Sequence, residues 1–199
     1  KPFQPKDGGG TLFMDTYAMQ AAWHIRHHGT TPEQIAIGAS KNHAMGAKNP
    51  LAQYRFEVSP AQVLADRMVS WPLTRSMCAP IGDGAAAALV CSEAFLKTLP
   101  KAVQERAVRI AGAALTGGKY RRLDEPGLSR PAAQRAYAMA GITPDQVSVA
   151  EVHDATSFCE IYQAEMLGFC ADGDGGAFVA SGATSRGGRL PINLSGGLV

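Results

Sequence analysis

The sequence predicts an α/β layered fold, and three observations carry the prediction. From 109 to 194 the pattern reads strand, helix, strand, helix, strand. Ala85 to Cys91, AAAALVC, is a run of small apolar residues with the composition of a buried strand packed closely against helices. Ahead of both lies a helix-rich stretch, residues 1–75, which offers no strand pattern strong enough to found a sheet.

Phe13, Met14, Tyr17, Ala18, Ala21, Ala22 and Ile25 recur at helical spacing, and Gly29 stands where a C-terminal cap belongs, so 13–28 reads as a helix. Thr31-Pro32-Glu33-Gln34 combines an N-cap threonine, a first-turn proline and a capping-box glutamine, starting a second helix towards Ala47. Ser59-Pro60 starts a third, through about Val69, after a polar loop from Asn49 to Glu57. Ile81-Gly82-Asp83-Gly84 leads into the AAAALVC strand, and Ser92 caps a short helix through Leu99. Arg109 to Leu115 reads as another buried strand closed by the turn Thr116-Gly117-Gly118, with a helix following near Arg130 to Ala140. Thr143-Pro144-Asp145-Gln146 repeats the earlier start signal, but Val147, Val149 and Val152 favour a strand over 147–152. Phe158, Ile161, Tyr162, Glu165 and Met166 trace a helix ending by Gly168. A long glycine-rich loop, 168–188, then precedes a final strand, Leu190 to Leu194.

The composition narrows the function classes. With 199 residues, 46% of them hydrophobic, the chain has material for one large or two small cores. The charge of +2 comes from 19 basic and 17 acidic residues spread along the chain, without the basic stripe that nucleic-acid binding requires. Ala85 to Cys91, the longest apolar run, is far too short to span a bilayer, and the opening KPFQPKDGGG has no signal-peptide character. Cys78, Cys91, Cys159 and Cys170 form no CxxC pair, which suits free thiols in a reducing compartment and a cytoplasmic protein. Both ends read as unfinished, the last residues being a strand that runs into the glycine turn Ser195-Gly196-Gly197-Leu198.

Ligands in α/β sheets gather at the carboxyl ends of strands, where helix N-termini also point. Val147 to Val152 delivers His153 of Glu151-Val152-His153-Asp154 to such a place, ahead of a helix that Asp154, Thr156 or Ser157 can cap. Two readings follow. A neutral imidazole at the positive end of a helix dipole can stabilise an enolate or thioester oxyanion; alternatively His153 merely helps to cap the helix. His24 and His28 stand four apart on one helix and could share a metal, but without an evident third ligand they read as a solvated helix face. Asp172-Gly173-Asp174-Gly175 lacks the further acidic positions of a calcium loop and reads as a flexible turn. Cys91 falls in the AAAALVC strand, Cys159 beside Phe158 and Cys170 past a helix end, all positions suited to packing, and Cys78 has no base near it in sequence; none is a convincing nucleophile. Lys119, Arg121 and Arg122 around Tyr120 form either a phosphate-holding cluster or a solvated loop.

Three segments together resemble one family. Met77-Cys78-Ala79-Pro80-Ile81-Gly82-Asp83-Gly84-Ala85-Ala86-Ala87 looks like the segment closing the N-terminal half of thiolases. Glu151-Val152-His153-Asp154 looks like the His-Asp motif of the sterol-carrier-protein-associated branch, and Pro191 to Leu198 like the strand and glycine turn before the last catalytic loop. Lys41-Asn42-His43 and Asn49-Pro50 are similar to that branch's loop domain, so the resemblance covers essentially the whole chain.

The resemblance implies a thiolase-like layered αβαβα fold, incomplete in this chain: residues 1–75 a helix-rich loop domain, 76–100 the end of the N-terminal half, 106–199 most of the C-terminal half. It implies a dimer acting on acyl-CoA thioesters by Claisen cleavage or condensation, with coenzyme A as substrate or product and no permanently bound cofactor. The family's nucleophilic cysteine precedes the region of Lys1, and its Gly-His-Pro loop and acid/base cysteine follow the region of Val199. What carries over is His153, at the position of the Asn in the Asn-Glu-Ala-Phe of other thiolases, as part of an oxyanion hole. Gly196 and Gly197 carry over as the turn lining the acyl pocket, and Thr116, Gly117 and Gly118 as a loop near the pantetheine arm. One departure matters: the branch commonly continues His-Asp-Cys-Phe, whereas this chain has His153-Asp154-Ala155-Thr156, implying a reshaped pocket. Such variants resemble subunits acting on bulky acyl-CoAs, including retro-aldolases for steroid side chains that pair with a small OB-fold, zinc-ribbon protein. A non-catalytic thiolase-like subunit is the remaining alternative.

Overall fold

The computed structural model describes residues 12–118 and 120–198. Lys119, the opening stretch through Thr11 and Val199 lie outside the described residues. Helix α1 spans Leu12–His28 and ends at Gly29, whose φ of 75° supplies the left-handed cap. Helix α2, Pro32–Gly46, opens with the capping box read from the sequence: Gln34 N donates to Thr31 Oγ1 (3.2 Å) and Thr31 N to Gln34 Oε1 (3.0 Å). Ser59 and Gln62 repeat that device for α3, Pro60–Ala65. This third helix is shorter than its pattern suggests, because the chain turns at Asp66 into the hairpin β1, Met68–Ser70, and β2, Leu73–Thr74. The hairpin, absent from the sequence expectations, is the one named sheet among the described residues.

The short helix α4, Glu93–Leu96, is capped by Ser92 Oγ as expected, and α5, Lys101–Arg106, follows it. Helix α6 spans Ser129–Ala140 and closes on Gly141 at φ 68°. Thr143 starts only a 3-10 turn, Pro144–Gln146. Helix α7, Ser157–Met166, runs into the segment expected to be a loop, and that segment itself contains α8, Gly175–Ala180.

Four strand expectations need correction. Residues 85–91 and 109–115 form no strand among the described residues, and most of their apolar side chains face solvent: Leu89 is 102% exposed and Leu115 90%. A strand persists only where a neighbour takes its backbone N–H and C=O groups, and no described segment pairs its backbone with either; helix α6 packs against Gly112 without doing so. Segments 147–152 and 190–194 do meet, but through a single parallel bridge, Ala150 with Ile192. The described chain is accordingly mostly helical, with a small sheet, and not an alternation of paired strands and helices.

Helix α2 is the hub, packing against α3, α7 and α8. Its Ile35, Ala36 and Ala39 join Ala18 and Ala21 of α1, Val63, Leu73, Met77, Phe158 and Ile161 in the main core. A second cluster, Ala164, Phe169, Leu190 and Ile192, lies beneath the end of α7 and supports the segment that leads to the glycine turn.

Candidate functional site

Segments 150–154 and 190–198 run side by side. Ala150 N donates to Pro191 O (3.0 Å) and Asn193 N to Ala150 O (3.0 Å), while Val152 N donates to the side-chain oxygen of Asn193 (2.8 Å). Asn193 reaches that position with φ 55°, a left-handed conformation that asparagine tolerates better than most residues. Two carboxylates then clamp the turn that follows. Glu151 accepts from Ser195 Oγ (2.7 Å) and Ser195 N (3.1 Å), and Asp154 Oδ1 accepts from Leu198 N (2.7 Å). Extended backbone alternates its faces, so Glu151 and His153 are exposed and Asp154 is fully buried. His153 therefore stands at the surface, between the two carboxylates that hold the Gly196–Gly197 turn.

Asp154 belongs to a buried polar network. Lys41 Nζ donates to Glu160 Oε1 (2.5 Å) and to Ile192 O (2.6 Å). Asn42 Nδ2 bridges Asp154 Oδ2 (2.8 Å) and Glu160 Oε2 (3.1 Å), and Asn193 Nδ2 also reaches Glu160 (3.3 Å). Asp154, Glu160, Asn42 and Asn193 are each 0% exposed. Loss of water pulls the Lys41 ammonium below the ordinary lysine value, against the pull of Glu160. Burial pushes Asp154 up to about 7, with the Glu160 charge adding to the rise and the Leu198 and Asn42 donors opposing it.

That rise has a sign for stability. Between roughly pH 4 and 7 the folded chain holds the Asp154 proton more tightly than the unfolded chain does. The contribution is thus fully present at low pH and is lost as pH climbs through about 7, in total about 4 kcal/mol. Urea titrations of wild type and Asp154→Asn at pH 5 and pH 8 are expected to show wild type losing stability relative to the variant at the higher pH; a constant difference would refute the assignment.

The remaining candidate residues separate. Thr116 donates to Leu128 O (2.9 Å), so the 116–118 turn is tied to the approach to α6 and not to the His153 turn, and Gly117 and Gly118 are exposed. Arg121 donates to Glu125 O and lies over the Tyr162 ring, and Arg122 is paired with Asp124, so both guanidinium groups of the basic segment are engaged within the chain; its Lys119 lies outside the described residues. His24, expected on a solvated face, is buried between Thr30 Oγ1 (2.9 Å) and Glu165 Oε2 (3.0 Å). Asp172 pairs with Arg130, and Asp174 precedes α8, so that acidic stretch is structured. Cys91 is exposed, contrary to its expected burial in a strand. Burial pushes the Cys78 thiol up to about 11 and that of Cys170 up to about 12, which removes both as thiolate nucleophiles at neutral pH.

A cavity of about 240 Å³ adjoins the turn, lined by Gly46, Asn49, Tyr54, Pro80, Gly196 and Gly197. Larger clefts of about 500 and 540 Å³ lie between α6 and the end of α7, where Glu165 and Asp172 line the wall, and beside His43 and Phe56, where Asp66 does. The sequence reading missed the network residues Lys41, Asn42, Glu160 and Asn193 as parts of this site. Their signal was a charged or amide residue within an otherwise apolar buried stretch, as Glu160 is between Phe158 and Ile161.

A segment running from the start of α6 through a clamped glycine turn defines a domain class: residues 127–199 match the thiolase C-terminal domain-like family. The benzoylsuccinyl-CoA thiolase subunit BbsB of Thauera aromatica is 32% identical over 194 residues, covering 96% of this chain and 50% of that protein. Sterol carrier protein 2 of Bos taurus is 36% identical over 182 residues, covering 88% of this chain and 34% of that one. A solved structure described as an Ltp2-ChsH2(DUF35) aldolase superposes with a TM-score of 0.74 at 24% identity, over 91% of this chain and 49% of the other, which shows a shared fold. The chain belongs to the thiolase superfamily and has sterol-carrier-protein-2-type thiolases among its relatives. It spans half the length of BbsB and a third of the bovine protein.

Proposed function

We propose that the chain is part of an acyl-CoA-processing enzyme in which a thioester lies over the Gly196–Gly197 turn and His153 stabilises the oxyanion of a Claisen cleavage or condensation. The observation that carries this reading is the clamp itself: Glu151 and Asp154 fasten the turn, and between them in sequence stands an exposed histidine that makes no hydrogen bond among the described residues. An imidazole N–H beside a close backbone approach is the donor set that a developing enolate or thioester oxyanion needs. Relatives with CoA thioesters in their names support it. In this reading coenzyme A is substrate or product, and 1–75, 76–100 and 106–199 are the loop domain and the parts of two similar halves. The unpaired apolar segments 85–91 and 109–115 become strands of a five-layered αβαβα fold, in which neighbouring strands take up their backbone groups. The reading further includes a homodimer, a cytoplasmic setting and a second, OB-fold zinc-ribbon subunit. Among the described residues no helix is long and apolar enough to cross a membrane.

His153→Ala in the full-length protein is expected to lower kcat by roughly 100- to 1,000-fold. Its melting temperature should stay near that of wild type, since the side chain is exposed. Near-normal turnover would overturn the role.

A second reading, retro-aldol cleavage of a bulky acyl-CoA, is favoured by Thr156. Where the branch commonly has an aromatic ring, this residue is buried with its hydroxyl against Cys159 Sγ (3.4 Å). The two chemistries share the enolate and differ in the covalent intermediate. Mass spectrometry of the quenched full-length enzyme distinguishes them: an acyl-enzyme adduct supports acyl transfer, and cleavage without an adduct supports the aldolase. Thioester binding without any product identifies a non-catalytic subunit.

A further inference from the structure

We infer that Asp154 is the positioning residue of this site: as a carboxylate it ties the Gly196–Gly197 turn to α2, and uptake of one proton loosens that tie. The inference rests on the proposed role of the turn and of His153. Asp154 shares no face with His153 and touches no open surface, so it does not act on a bound thioester directly. It acts through what it holds. Oδ1 accepts the backbone N–H of Leu198 (2.7 Å), immediately after the turn, and Oδ2 accepts Asn42 Nδ2 (2.8 Å) from α2. The fit is close enough that a Cβ on Gly197, itself at φ 65°, would collide with the carboxyl group. Three segments remote in sequence, 41–42, 151–154 and 193–198, therefore meet at one functional group.

Two donors on two oxygens suit a carboxylate and not a carboxylic acid, in which one oxygen carries hydrogen and becomes the poorer acceptor. The groups facing Asp154 set its balance. Lys41 and Asn42 come from α2, Glu160 and Cys159 from α7, and the Leu198 N–H from the turn. Lys41 favours the charged form, but its ammonium is already engaged by Glu160 at 2.5 Å, and the Glu160 carboxylate opposes ionisation of Asp154. Asn42 Oδ1 is buried and has no hydrogen-bond partner, an acceptor left over in the ionised arrangement towards which an Asp154 hydroxyl can turn. The balance falls at about 7, so the proton moves within the physiological range.

The test is an NMR titration of the full-length protein, which needs no substrate. Between pH 5.5 and 8.5 the Leu198 amide resonance is expected to shift with a single midpoint near neutrality in wild type and in His153→Ala, and to stay flat in Asp154→Asn. Persistence in His153→Ala assigns the transition to the carboxyl group and not to the neighbouring imidazole. A flat Leu198 profile in wild type overturns the inference whatever the enzyme turns over, as does a transition lost in His153→Ala. In steady-state assays kcat should rise with pH through the same midpoint, and Asp154→Asn should lower kcat by roughly 100-fold at pH 8 with that limb removed and KM little changed. A limb retained in Asp154→Asn also refutes the positioning role. Absence of thioester turnover in wild type, with the Leu198 titration intact, refutes the proposed function and leaves the carboxyl clamp standing.

Discussion

Glu160→Ala is expected to destabilise the fold by about 3–5 kcal/mol, the largest single-residue effect in the molecule. Glu160 is 0% exposed and holds Lys41, Asn42 and Asn193 at once. Its removal leaves an ammonium with backbone carbonyls alone, and two buried amides each lose an acceptor. Lys41→Met is expected to be damaging for the converse reason, stranding a carboxylate in the core. The double variant Lys41→Met/Glu160→Leu removes both charges and should be more stable than either single variant, because a large part of each single effect is the unpaired partner. Urea unfolding of the four proteins gives the coupling directly. Simple addition of the two single effects would show that the pair is not the linchpin described.

Gly196→Ala is expected to cost about 3 kcal/mol and to lower Tm by roughly 10 °C. Gly196 sits at φ 106°, outside what an L side chain adopts readily, and a Cβ there would stand 2.7 Å from Gly46 Cα and 2.8 Å from Gly46 N. The obstruction is backbone of α2, which cannot turn aside as a side chain can. Gly46→Ala provides the control. Its Cβ would meet Tyr54 O at 3.1 Å and Gly196 Cα only at 4.0 Å, and alanine gains helix propensity, so a change within about 1 kcal/mol is expected. Equal effects at the two positions would show that the close approach is not what demands glycine at 196. The same contact explains why α2, far away in sequence, belongs to the site: it is the floor on which the turn rests.

The conflict at Asp154 follows from this packing. Burying a carboxyl between Glu160 and Asn42 lowers stability once it ionises, yet the ionised form is the one that holds Leu198 with full strength. Functional sites commonly retain such local disagreement between stability and geometry. Lowering the charge with asparagine is expected to relieve the first at the expense of the second.

Much of the local structure was legible in the residues. Thr31-Pro32-Glu33-Gln34, Ser59-Pro60 and Ser92 cap helices where their chemistry said they would, because capping is settled by side chains within three residues of the backbone groups they satisfy. The apolar spacing of Phe13 to Ile25 became α1 for the same local reason. Thr143 shows the limit of the rule: an identical opening produced one 3-10 turn, since the valines behind it were drawn into the bridge between Ala150 and Ile192. Segments 85–91 and 109–115 carried strand composition but had no described backbone-pairing partner, and composition cannot supply one. The loop 168–188 hid α8, whose Gly175 and Gly176 are poor helix formers held in place by packing beneath Glu165 and Gln34.

The amino-acid sequence by itself determined the helix starts and the family to which the chain belongs, each a matter of neighbouring residues or of motifs in order, and it nominated His153. Only the tertiary structure decided that Lys41, Asn42, Glu160 and Asn193 form one buried network with Asp154 and that Asp154 holds the glycine turn. These residues lie up to about 150 positions apart, and a buried hydrogen-bond network depends on which faces of α2 and α7 meet, a result of packing that no local pattern encodes.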